Sequence, residues 1–340
     1  VKIVDSQNGR WEAPIVNPIS GKRYSRVPMN RMGFEFTNNP FSFRVKSSDG
    51  KQMLDTNTDS FLYRDKYLEF GIRYFSQRIM GIGERVVDKL FLCQNRDSCS
   101  YTLWGKDVAS PFDDGSGGCR GDYGQQPFYM IQIPDSKKFI GFFALNSNDQ
   151  DILINKEANN AMKVTHKMVG GVFDFYIFYP GSAYEVIQQY QELIGRPYLI
   201  PRWSMGYHQC RYGWRTLSKV KDVVAKFAQH DLPLDVVWAD IDYMKDYADF
   251  TIDNDRYGGL KEFVKELHQN NMKWVPIVDA GIKAADSDKY FRLGQEKGAF
   301  VKSAKTGKTL IGKVWPGPAA FLSWYHPSGD EVWKTGLKDF

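Results

Sequence analysis

Four aspartates, Asp240, Asp242, Asp246 and Asp249, fall within ten residues of the stretch WADIDYMKDYADF, Trp238–Phe250. Just before them LDVVW (Leu234–Trp238) is apolar and β-branched, the composition of a strand buried on both faces of a parallel sheet. Such a strand, acidic only at its C-terminal end, sets its body in a core and its carboxylates at a mouth where a ligand can be met. Carboxylates accept hydrogen bonds from hydroxyls, and each charge-assisted bond of that type is worth about 1.5–3 kcal/mol net. Two residues apart, Asp240 and Asp242 point to one side if the strand persists. Ligand contact is the expectation for Asp240. For Asp242, ligand contact and the orienting of a loop are equally open.

Elements with the same rhythm surround this stretch. WSMGYHQ (Trp203–Gln209) reads as a strand, LSKVKDVVAKFAQHD as an amphipathic helix, LDVVWADI as a strand, GLKEFVKELHQNN as a helix and KWVPIVDA (Lys273–Ala280) as a third strand. Alternating β and α elements imply parallel strands joined by right-handed crossovers. The strand exits read YHQCRYGW, WADIDYM and IVDAGI, and a hairpin-like stretch, AFVKSAKTGKTLIGKVW, ends in KVWPG. Aromatic faces beside carboxylates suit a sugar, with its C–H surfaces and its hydroxyls. Three strand–helix units are present where a closed barrel needs eight, so the barrel reads as incomplete. A last helical pattern, GDEVWKTGLKDF, closes the sequence.

Residues 1–195 have a different texture. Short alternating or aromatic runs (RMGFEFT, FSFRVKS, YLEFGIRYF, FYMIQI, FIGFFAL, DILI, GVFDFYIFY) are separated by turn signals such as SSDGK, PDSKK and NSNDQ. Many short strands without helices between them imply a sandwich. GIGER, at Gly81, reads as a tight turn, since no helical pattern follows as a phosphate loop would need. The Gly-, Asp- and Ser-rich stretch around Gly105–Asp122 is long for a strand connection and reads as a functional loop. AYEVIQQYQELIG (Ala183–Gly195) has helical spacing and stops at Gly195, with Pro197 beyond, which sets the boundary between domains 1–195 and 196–340.

At 340 residues the chain is long for one ordinary domain. The net charge of +5 comes from 45 Lys and Arg interspersed with 40 Asp and Glu, with no basic block, which argues against nucleic-acid binding. No apolar run reaches the roughly 18–20 residues of a membrane span, and Val1 opens no signal peptide. Cys93 and Cys99 flank QNRDS and are open to two readings, a closed disulfide or free thiols, with Cys119 nearby.

In order and spacing these motifs resemble glycoside hydrolase family 31, the α-glucosidases related to maltase-glucoamylase and lysosomal acid α-glucosidase. PFSFRV, GIGER, YTLW, YGQQPFYM and FFALNSN fall in the order of that family's N-terminal, galactose-mutarotase-like sandwich. ELIGRP, GYHQCRYGW, LDVVWADIDYM through DFT, ELHQNN, PIVDAGI and VWPG continue it into the (β/α)8 TIM barrel. The resemblance implies the N-terminal portion of a retaining α-glucosidase acting on α-glucoside oligosaccharides, without a cofactor. It implies that Asp240 binds hydroxyls of the sugar at the cleavage subsite and that Asp107 reaches over the barrel mouth. Trp214, Ile241, Ile277 and Trp315 fall at positions that line that subsite.

By the same resemblance no catalytic residue lies in this chain. Nucleophile and acid belong to a C-terminal remainder, on the same or a separate chain, and the compartment is secreted, lysosomal or vacuolar. The chain departs from the family pattern at Ala280, where a Pro is usual, and at Leu322 and Ser323, where Pro-Asp is usual. Trp214 stands where digestive members commonly carry Tyr. Those departures keep open a non-catalytic carbohydrate-binding or structural relative; a change of donor to α-xyloside, or glucosyl transfer, is open as well.

Overall fold

Every second residue of the strand Tyr67–Tyr74 is buried (Leu68, Phe70, Ile72, Tyr74), as is every second residue of Met162–Met168. In the computed structural model, which describes residues 1–3, 7, 9–12, 32–58, 61–87, 89–105 and 123–340, these strands pair antiparallel. Leu68 faces Met168, Phe70 faces His166, Ile72 faces Val164 and Tyr74 faces Met162, so the period of two puts one row of each strand into the core. They sit inside an eight-stranded sheet that begins with Met32–Asn38, Phe41–Ser47 and Gln52–Asp55 and ends with Gln150–Lys156 and Ser98–Leu103; Phe61–Arg64 pairs at its side.

A five-stranded sheet, in the order Lys2–Ile3, Phe173–Gly181, Phe139–Ala144, Phe128–Gln132, Ile79–Gly81, lies against it. Phe70 and Phe175, one from each sheet, stack with centroids 4.5 Å apart within a shared core. The outer face of the smaller sheet is covered by the helix Ala183–Ile194, held at its start by a Ser182–Glu185 capping box. Val186 of that helix enters where Gly141 has no side chain, since a Cβ there would stand 2.5 Å from Val186 Cγ1. Cys93 and Cys99 form a disulfide, which decides between the two readings of that pair.

These elements make up the unit Val1–Pro197; a second unit spans Tyr198–Phe340. Its parallel sheet has the order His208–Gln209, Val236–Ala239, Lys273–Pro276, with His208 opposite Val236 and Ala239 opposite Pro276. Helices Leu217–Gln229 and Leu260–Gln269 follow the first two strands and bury Leu217, Val220, Leu260, Phe263 and Leu267. The sheet is open, the first part of a barrel. Beyond it Gly281–Lys283, Gly317–Phe321 and Ile311–Val314 form a small antiparallel sheet, backed by helices Lys289–Glu296 and Pro327–Asp339.

Two expectations change. Only His208–Gln209 of WSMGYHQ is strand; Arg202–Met205 winds into a 3-10 turn between Pro201 and Gly206, with Met205 63% exposed and no strand partner to bury it. The third strand stops at Pro276, and Gly281 already belongs to the next sheet. The helix Lys289–Glu296 fills the sequence between the third strand and the hairpin-like stretch, and Asp288 caps it by accepting from the Tyr290 and Phe291 amides. Among the described residues no helix is long and apolar enough to cross a membrane.

Candidate active site at the strand exits

The second barrel strand ends at Ala239, and local geometry then sends the four aspartates to four environments. Asp240 is half-buried and caps the one-turn 3-10 segment Ile241–Tyr243, its Oδ1 accepting from Ile241 N at 2.7 Å. Its Oδ2 has no hydrogen-bond partner among the described residues. Because strand pairing has already ended, the alternation that would align Asp242 with Asp240 is lost, and that expectation fails. Asp242 is instead 3% exposed and accepts from Gly213 N at 2.7 Å, orienting the loop before Trp214. Asp246 is open to solvent, 3.4 Å from Lys283 Nζ. Asp249 is buried and accepts from Asp279 N at 2.9 Å.

The floor beneath Asp240 is built from neighbouring strands. Trp238 Nε1, a donor only, gives its hydrogen to His208 Nδ1 at 2.9 Å, which leaves the proton on Nε2 to reach Ser204 O at 3.1 Å. Ile277 N donates to Ala239 O at 2.9 Å, and Tyr243 OH donates to Ile277 O at 2.7 Å. Tyr257 OH donates to the Trp214 carbonyl. Trp214 and Ile241 are buried in one cluster with Tyr243 and Tyr257, and Ile277 packs against it.

Electrostatics follow from burial. Desolvation, and then the charges of Asp279 and Asp288, push Asp249 up to about 7 against the pull of its hydrogen bond from Asp279 N. Asp279 is raised by burial and by the charge of Asp240. Burial, and then Asp240, raise the Cys210 thiol at the exit of the first strand. Among the described residues no three His, Cys, Asp or Glu side chains converge as a metal would require.

One end of the parallel sheet therefore gathers Asp240, Ile241, Trp214 and Ile277. Trp315 sits apart, in the turn of the Ile311–Phe321 hairpin and 61% exposed, with no ring contact or hydrogen bond to the others among the described residues. Asp107 lies outside the described residues.

Residues 197–340 match the model of the glycosyl hydrolases family 31 TIM-barrel domain. Residues 197–340 belong to the TIM-barrel domain of glycosyl hydrolase family 31. It is 34% identical over 367 residues to an α-glucosidase of Hordeum vulgare, covering 100% of this chain and 40% of the relative. Over 342 residues it is 32% identical to a lysosomal α-glucosidase of Bos taurus, covering 99% of this chain and 35% of that protein. A crystal structure of a glucosidase II alpha subunit shares the fold, with a TM-score of 0.80 at 24% identity over 89% of this chain and 37% of that one. The chain thus spans two fifths or less of each relative's length.

Within this family 31 barrel portion, residue types and spacing do not single out Asp249, Asp279 and Tyr243 as members of the site. Asp279 carried a readable signal: IVDA, like WADI, is an apolar run ending in an acid at a strand exit. Nothing in residue type marks Asp249 as buried; that follows from the turn that carries it back beneath the third strand.

Proposed function

We propose that this chain forms the sandwich and roughly the first third of the barrel of a retaining α-glucosidase, and that Asp240 binds hydroxyls of the terminal α-linked glucose. One observation carries the reading: of the four acids after the second strand, Asp242 and Asp249 are committed to backbone amides and Asp246 to solvent and Lys283. Asp240 also holds an amide through Oδ1, but it stands half-buried at the sheet end, so its unengaged Oδ2 is open to a ligand, whereas Asp242 and Asp249 are each only 3% exposed. Trp214, Ile241 and Ile277 form the apolar wall below it, and Trp315 offers an exposed aromatic face for a sugar ring.

A retaining glycosidase needs a carboxylate to attack the anomeric carbon and a second carboxylic acid, about 5–5.5 Å away, to protonate the leaving oxygen. Asp240 takes neither part, since its Oδ1 holds its own turn. Later barrel strands, on the same or a separate polypeptide, carry that pair. The Cys93–Cys99 disulfide favours an oxidising compartment, consistent with a secreted, lysosomal or vacuolar enzyme.

The test is hydrolysis of maltose by the enzyme containing this chain, before and after Asp240→Asn. The substitution keeps shape and removes charge, so kcat/KM is expected to fall on the order of a hundredfold, about 3 kcal/mol, with Tm unchanged. The product followed by NMR is expected as the α-anomer first. Equal rates for parent and variant refute the assignment of Asp240.

A further inference from the structure

Three hydrogen bonds in a row fasten the exit of the third strand to the acidic stretch after the second: Ile277 N to Ala239 O, Tyr243 OH to Ile277 O, and Asp279 N to Asp249 Oδ1. The last is unlike the others. Asp249 is 3% exposed, and its second oxygen, Oδ2, is buried with no hydrogen-bond partner; Asp279 Oδ2 is in the same condition. Two carboxyl groups joined through a backbone amide, each with an unsatisfied buried oxygen, are unfavourable as two anions. A proton on one of them removes the repulsion and most of the cost of burying charge.

We propose that Asp249 is a positioning residue, a protonated latch whose carboxyl clasps the Asp279 amide and so fixes the turn that sets Ile277 and Asp279 beside Asp240. The inference rests on the reading of Asp240 as the sugar-binding acid. The charged and titratable groups facing Asp249 are Asp279 and Asp288, with Tyr243 close by; no cation among them neutralises an ionised Asp249. Burial and these neighbours hold its proton up to about pH 7. A solvated carboxylate ionises near pH 3.8, so opening the turn to water becomes easier as pH rises from there and levels off above about 7, where the closed form has ionised too and Asp240 has lost its fixed neighbour.

Asp249→Asn keeps the carbonyl that accepts from Asp279 N and cannot ionise, whereas Asp249→Ala removes the clasp. Amide hydrogen exchange of the segment 277–280 in the enzyme containing this chain reads the latch directly. The parent is expected to be best protected at pH 5, to lose protection by about tenfold or more by pH 7, and to lose little further up to 8.5. The Asn variant is expected to hold its protection across that range, and the Ala variant to lack it throughout. In maltose hydrolysis the Ala variant is expected to lose on the order of tenfold to a hundredfold in kcat/KM, with Asn restoring most of the loss at pH 5.

Protection in the Ala variant equal to the parent's overturns the proposal. So does an Asn variant whose protection falls with pH as steeply as the parent's, which keeps the test decisive if Ala fails to fold. An enzyme that splits no α-glucoside refutes the proposed function, while exchange still judges the latch.

Discussion

His166 is wholly buried between the two sheets of the sandwich, stacked on Tyr129 at 5.7 Å and tilted against Phe142 at 5.3 Å between ring centroids. Gln150 Oε1 can only accept, so His166 Nδ1 carries the proton across 3.5 Å, and Nε2 accepts from Tyr129 OH at 3.2 Å. Tyr129 in turn takes the hydrogen of Tyr74, 3.1 Å away. The network is complete only with a neutral imidazole. Burial lowers the pKa from 6.5 to about 3. A histidine that binds its proton more weakly folded than unfolded contributes stability fully above pH 6.5 and loses it as pH falls toward 3. At about 1.4 kcal/mol per pH unit the loss is roughly 3 kcal/mol by pH 4.5 and about 5 kcal/mol at pH 3. Against a typical 5–15 kcal/mol of total stability, that is a large share.

His166→Phe keeps a ring in the stack and cannot ionise, but leaves Tyr129 and Gln150 each short of a partner. At pH 7.5 it is expected to be about 1–3 kcal/mol less stable than the parent. Urea unfolding at pH 7.5, 6, 5 and 4.5 is the assay, and the two stability curves are expected to converge or cross near pH 4.5. Other groups titrate in both proteins, so the difference between the curves isolates His166. Parallel curves from pH 6.5 to 4.5 would refute the reasoning.

Asp242→Ala strips the Gly213 amide of its buried acceptor and should lower stability by about 1–3 kcal/mol while raising fluorescence exposure of Trp214, read by acrylamide quenching. Gly141→Ala forces a methyl onto Val186 and Phe178, with an expected loss of about 1–3 kcal/mol in Tm-derived stability; an unchanged Tm would mean the helix Ala183–Ile194 shifts freely. Trp315→Ala, at an exposed turn, should leave Tm unchanged and weaken maltose use about tenfold in kcat/KM, corresponding to about 1.4 kcal/mol; no change would remove Trp315 from the subsite.

Where one periodicity ran undisturbed, sequence and structure agree closely. FSFRVKS is the strand Phe41–Ser47, and AYEVIQQYQELI is the helix before Gly195. The reason is that alternation and capping are local: Ser182, Glu185 and Gly195 define the ends of that helix wherever it packs. Local patterns misled where a strand had no partner to continue it. Trp203 to Met205 look like strand residues by type, yet pairing begins only at His208, opposite Val236. Asp240 and Asp242 failed to align for the same reason. Asp240 itself was legible because the strand before it is apolar to its last residue. Asp249 and His166 were not, because their burial is decided by chain segments far away in sequence.

The pairing of Tyr67–Tyr74 with Met162–Met168 also governs when the sandwich can exist. Leu68 meets Met168 one hundred positions later in the chain. On a ribosome adding about 5–20 residues per second, Leu68, Phe70, Ile72 and Tyr74 emerge some 5–20 seconds before the strand that covers them. Lys2 waits longer still for Asp174. A row of four apolar side chains on an unpaired strand is a binding surface for holding chaperones and a seed for edge-to-edge association during that interval. Synonymous changes that slow translation between codons 75 and 168 lengthen the wait without altering a single contact in the finished sandwich.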